Sequence, residues 1–120
     1  MGNPFVHVEL TTTDHQKAKA FYGKLFDWTL EDADMGNSAT YTMIKVGEGT
    51  GGGIFEMKNA PPMWLAYVGV ADVRAATDKA TALGARLVRE VTEVPGFGWF
   101  SIITDPQGAM LALWQPKPRA

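Results

Sequence analysis

Polar and apolar residues alternate from Phe5 to Leu10. Val6, Val8 and Leu10 share one face, and Phe5, His7 and Glu9 share the other. Successive side chains of a strand point to opposite sides of its sheet, so this stretch predicts a strand with one face on a helix and the other on something wetter than a core. Three threonines lead to Asp14, whose carboxylate can accept from the free amides of a first helical turn. Ala18, Phe21, Tyr22, Leu25 and Phe26 then recur at helical spacing, with Lys17, Lys19 and Lys24 off that stripe. Gly23 costs the helix about 1 kcal/mol relative to Ala. His15, just after the cap, is expected to face solvent. Trp28–Leu30 predicts a short strand, Glu31–Ser38 a turn, Ala39–Val46 a strand, and Ile54–Met57 another. Gly47–Gly53 is a glycine-dense loop. It lacks the Gly-Lys-Ser/Thr ending and the following helix that a phosphate cradle needs, so a flexible connection or bulge is the better reading.

The pattern then repeats. Laying Asp14 on Asp72 brings Ala18 onto Ala76, Leu25 onto Leu83 and Leu30 onto Val88. Lys58–Pro62 is the natural linker, because paired prolines stop both helix and ladder. Trp64–Val70 predicts a strand with Ala66, Val68 and Val70 toward a helix and Met63, Leu65, Tyr67 and Gly69 on the other side. Asp72 caps a helix carrying Val73, Ala76, Thr77, Ala80 and Leu83, ended by Gly84. Strands follow at Arg86–Val91, Trp99–Thr104 and Met110–Trp114, separated by turns at Pro95–Gly98 and Asp105–Gly108. The expectation is one α+β domain over residues 1–120, built as two tandem βαβββ units (4–57 and 63–115, linker 58–62). Eight strands would form a cleft with the helices on the outer faces.

Composition narrows the function without naming it. A net charge of −2 offers no basic patch for nucleic acid or an acidic membrane. No run of about 18 apolar residues is present to span a bilayer. No signal peptide is expected at Met1–Leu10, and Val6 breaks a myristoylation pattern. The absence of cysteine removes disulfides, thiolate metal sites and cysteine nucleophiles, and fits a cytoplasmic protein.

The segments HVELTTTD…AKAFYGKLFDW and GWFSIITDPQGAMLALWQP, at opposite ends of the chain, together resemble the vicinal oxygen chelate superfamily, which includes glyoxalase I, bleomycin resistance proteins and extradiol dioxygenases. In its metal-dependent members the cavity holds a divalent metal on four ligands. The resemblance places His7 and Glu56 at two of those positions, but Leu65 and Ala112 at the others, and neither can bind metal. Glu9, two residues from His7, is a conceivable third ligand, whereas a catalytic zinc normally keeps three protein ligands plus water. The resemblance also implies a homodimer.

His7 is a candidate for proton transfer, for hydrogen bonding to a ligand, for metal binding, or for a structural bond, and Glu9 is placed to orient its imidazole. Phe5, Met43, Trp64, Leu65, Tyr67, Trp99, Ala112 and Trp114 are candidates for lining a small-molecule site, because aromatic surface with a few placed polar groups suits organic ligands. Ser101 has no identifiable base partner. The leading expectation is a protein that holds a small organic molecule in an aromatic cleft without a complete metal site, with His7 and Glu9 as the candidate catalytic pair. The alternative is a metal-dependent lyase, isomerase or dioxygenase. A closed core would instead favour a protein-interaction module.

Overall fold

The computed structural model describes residues 2–34 and 40–118. The elements are β1 (Phe5–Thr12), α1 (His15–Leu25), β2 (Thr29–Asp34), β3 (Thr40–Lys45), β4 (Gly52–Glu56), β5 (Met63–Gly69), α2 (Val73–Ala82), β6 (Arg86–Val94), β7 (Gly98–Thr104) and β8 (Met110–Pro116). This is βαβββ twice, as the repeat predicts. Both helices start where expected: the Asp14 carboxylate accepts from Lys17 N at 3.1 Å and that of Asp72 from Ala75 N at 3.0 Å. Contacts divide the chain into two compact units, His7–Leu65 and Met1–Val6 with Ala66–Ala120. The division falls inside β1 and β5 rather than at the proline linker. One reason is that the residues just before β1 bond to the end of β5, through Gly69 N to Pro4 O at 2.8 Å and Asn3 Nδ2 to Gly69 O at 2.9 Å.

In the His7–Leu65 unit the strand order is β2-β3-β4-β1, with β1 and β4 parallel and the other neighbours antiparallel. Leu10, Ile44 and Ile54 project from one face and are almost wholly buried. Ala18 and Tyr22 of α1, with Trp28, Leu30 and Val46, close over them. β2 runs to Asp34, past the turn expected at Glu31. The polar residues there are held in register, Glu31 by an ion pair to Lys45 at 3.0 Å and Asp32 by Thr42. The rest of that expected turn lies outside the described residues. β4 begins at Gly52, inside the glycine tract. A Cβ on Gly52 would run into the carbonyl oxygen of Val8, so the close approach of β4 to β1 demands glycine there.

The second unit repeats this plan as β5-β8-β7-β6, with β5 and β8 parallel. α2 is pinned to β7 by a buried pair of hydroxyls. Thr77 donates to Val73 O, so Ser101 Oγ donates to Thr77 Oγ1 at 2.8 Å. Ser101 is thereby a structural residue.

His15 is buried, contrary to the expectation that it faces solvent. Its Nε2 lies 2.6 Å from Thr42 Oγ1, which donates to Asp32 Oδ1 at 2.7 Å. A hydroxyl has one proton, so His15 Nε2–H is the donor to Thr42. Asp32 also accepts from Lys19 Nζ at 2.9 Å, and the Lys19 and Thr42 bonds hold its carboxyl below the usual range. Replacing Thr42 by Val strands a buried imidazole N–H. The expected loss is about 1–3 kcal/mol of stability by urea unfolding. An unchanged midpoint would show that the relay contributes nothing.

Candidate functional site

On the face of the first sheet away from α1, alternation places His7, Glu9 and Thr11 of β1, Gly53 and Phe55 of β4, and Tyr41, Met43 and Lys45 of β3. The register sets Gly53 between Glu9 on one side and Met43 on the other. Gly53 carries no side chain, and the Tyr41 ring lies over it. A Cβ on Gly53 would collide with the phenol oxygen itself.

From that position Tyr41 joins β3 to β1. Its hydroxyl donates to Glu9 Oε1 at 2.9 Å and lies 2.7 Å from His7 Nε2. The two rings stack at 19° with centroids 6.3 Å apart. Since the phenol proton goes to Glu9, His7 donates its Nε2–H to the phenol oxygen. That sets the tautomer, and Nδ1 becomes the basic nitrogen. Burial pushes the His7 pKa below its ordinary value, so the ring is neutral at pH 7. The outcome is a directed chain, imidazole to phenol to carboxylate, on a face flanked by Met43 and Phe55.

His7 and Glu9 lie on one face of β1, 3.9 Å apart from Nε2 to Oε1, with the Tyr41 hydroxyl bonded to both. Tyr41 is a residue that sequence reasoning missed, because its reach depends on Gly53 standing in the adjacent strand.

The other candidates divide by sheet face. In the second unit Tyr67 and Trp114 contact edge to face at 6.5 Å. Phe100, also missed, lies 6.2 Å from Tyr67, and the fully buried Ala112 stands opposite Tyr67 in register. Trp99 is not with them. It pairs with Gln115, whose side chain accepts from Val73 N at the start of α2, so it sits on the helix face under the Lys117 ammonium. Trp64 likewise lies on the helix side of the first unit, against Tyr22 and Trp28. Phe5 is 62% exposed, Met43 is 38% exposed beside the Tyr41 site, and Leu65 is buried.

A family model described as Glyoxalase/Bleomycin resistance protein/Dioxygenase superfamily matches residues 5–113. The chain belongs to this superfamily. Curated proteins named "Putative glyoxylase CFP32" from Mycobacterium bovis and Mycobacterium tuberculosis are 35% identical over 114 residues, covering 90% of this chain. The chain spans 44% of the length of those relatives. Among solved structures, hypothetical protein BH1468 from Bacillus halodurans superposes with a TM-score of 0.76 at 14% identity, over 100% of this chain and 99% of its own. Methylmalonyl-CoA epimerase from Mycobacterium tuberculosis superposes at 0.71 and 17% identity, over 95% and 88%. At these identities the likeness is one of fold.

Members of this superfamily often use divalent metals, and the residues present here do not fit one. Glu56 stands opposite Thr12 in the β1–β4 register, five residues from His7. That is about 16 Å along a strand. Its carboxylate accepts from His15 N at 2.9 Å and pairs with Lys58 at 3.3 Å, which together hold its pKa down. It is therefore a cap on α1 and no co-ligand of His7. The β4 residue level with Glu9 is Gly53, which offers no donor. Among the described residues no three His, Cys, Asp or Glu side chains gather as a metal site would require.

Two measurements check this geometry. The His7 ring protons should titrate with a midpoint below about 6.5 by NMR. The folded protein then binds fewer protons than the unfolded chain as pH falls through that range, so the stability His7 contributes is complete above about pH 6.5 and declines below it. A midpoint above 6.5 would contradict the buried neutral ring. Gly53→Ala should displace Tyr41, moving the His7 and Tyr41 ring resonances while leaving those of His15 in place. It should also cost about 1–3 kcal/mol.

Proposed function

We propose that the protein binds a small organic molecule on the His7–Tyr41–Glu9 face and does so without a metal ion. The observation that carries this reading is the Tyr41 oxygen, bonded at 2.7 Å to His7 and 2.9 Å to Glu9 across a side-chain-free Gly53. The two polar groups that could begin a metal site are instead tied to a phenol. Met43 and Phe55 give the same face apolar surface, and apolar walls with a few oriented polar groups are how small ligands are held. Superfamily membership supports a small-molecule role, and the CFP32 relatives carry glyoxylase in their name. The reading also places the protein in the cytoplasm as a homodimer, whose state sedimentation would establish.

The alternative of a metal-dependent lyase, isomerase or dioxygenase makes an opposite prediction. Tag-free protein should contain well under one equivalent of nickel, zinc, manganese or iron, and none should raise its melting temperature. One equivalent of metal, lost in His7→Ala, would overturn the proposal. Tyr41→Phe breaks the bridge with little change in volume. It should weaken any ligand found by screening by about tenfold, the scale of one hydrogen bond to a charged group.

A further inference from the structure

We propose that the face of the second unit's sheet away from α2 binds small aromatic carboxylates, the Arg89 guanidinium holding the carboxylate beside the rings of Phe100 and Trp114. None of these residues belongs to the His7–Tyr41–Glu9 face. The site begins with the edge strand β6. Its pairing with β7 passes from Arg89–Ile102 to Thr92–Phe100, so two residues of β6, Glu90 and Val91, stand opposite Ser101 alone. Arg89 and Thr92 are three apart, and regular alternation would send them to opposite faces. The bulge brings both to the Phe100 face, the re-aiming that an extra residue in a strand produces. There Thr92 Oγ1 donates to Glu90 O at 2.8 Å and accepts from Arg89 Nε at 3.3 Å. The guanidinium carbon stands over the Phe100 ring, 5.4 Å from its centre. An exposed arginine is thus held in place by a bulge, a hydroxyl and a ring.

The donors that remain define the ligand. A guanidinium has five N–H groups in a planar fork, and contact with a ring face consumes none of them. The Nε–H goes to Thr92, which leaves the four on the Nη atoms. Among the described residues no carboxylate pairs with Arg89. Two parallel N–H bonds to one carboxylate are the pairing that this fork favours. β5, β7 and β8 contribute no Asp or Glu. Of the two carboxylates of β6, Glu93 pairs with Lys117, and Glu90 is exposed in the bulge. Apolar surface adjoins the cation. Phe100 and Trp114 are half-buried and opposite each other in register, and their ring centroids lie 6.2 and 6.5 Å from that of Tyr67. A flat ring carrying a carboxylate meets both features at once, whereas an ammonium meets like charge at Arg89.

The test titrates benzoate, benzylamine and acetate into the intact protein at pH 7, followed by the Arg89 Nε–H and Trp114 indole N–H resonances. Benzoate should move both resonances and bind about tenfold more tightly than either benzylamine, which has the wrong charge, or acetate, which has no ring. Arg89→Met should weaken benzoate by about tenfold, the scale of hydrogen bonds to a charged group. Arg89→Lys keeps the charge and the long stem, so it should leave the melting temperature unchanged and still weaken benzoate, because the planar fork is lost. Arg74→Met, which removes an exposed arginine from α2, should leave benzoate binding as it is. Benzoate that fails to move the resonances, or that binds both Arg89 variants as it binds the unaltered protein, would overturn the proposal. Acetate binding as tightly as benzoate would overturn the part assigned to the rings.

Discussion

The chemistry of this fold depends on a phenol laid over a glycine. β4 must run so close to β1 that Gly52 has no room for a Cβ beside the Val8 carbonyl, and Gly53 must leave open the volume that the Tyr41 hydroxyl fills. Only then can a residue of β3 reach across β4 and bond two side chains of β1 at once. The glycine-dense stretch is therefore a packing requirement at its C-terminal end. It clears the ground for a hydrogen-bond chain. The same constraint speaks against metal: the position where β4 would present a ligand to His7 and Glu9 is the one that must stay bare.

The two repeats share a plan and differ in how they are fastened. In each, the third strand of the repeat carries a fully buried hydroxyl that ties the helix to the sheet. In the second unit Ser101 meets Thr77, a short link between two small side chains. In the first, Thr42 meets His15 and passes the bond on to Asp32 and Lys19. Buried polar groups are tolerated when every member is satisfied, and both devices meet that condition. Among the described residues no buried side-chain nitrogen or oxygen is left unbonded.

The element order was legible because alternation and helical spacing are local. Asp14 and Asp72 announced both helices, and the βαβββ repeat followed from them. The His7 and Glu9 face was legible for the same reason. What needed the register was hidden. Glu56 occupies the right strand for a superfamily ligand, but parallel pairing sets it beside Thr12, where it caps α1. His15 follows a cap residue, a place usually in water, yet its anchor Thr42 lies 27 residues away. Trp64 and Trp99 were grouped with Tyr67 and Trp114 as aromatic surface, although strand parity puts both on the helix side. Tyr41 was hidden most deeply, since its role is written in the absence of a side chain at Gly53.

The most direct test of the account is the protonation pattern of the His7 ring, read from long-range proton–nitrogen NMR correlations at pH 7. If Tyr41 bridges His7 and Glu9 as described, the neutral ring carries its proton on Nε2, and the pattern is unchanged by added zinc. A proton on Nδ1, a charged ring, or a pattern reset by zinc would contradict the bridge and return His7 to the role of a metal ligand.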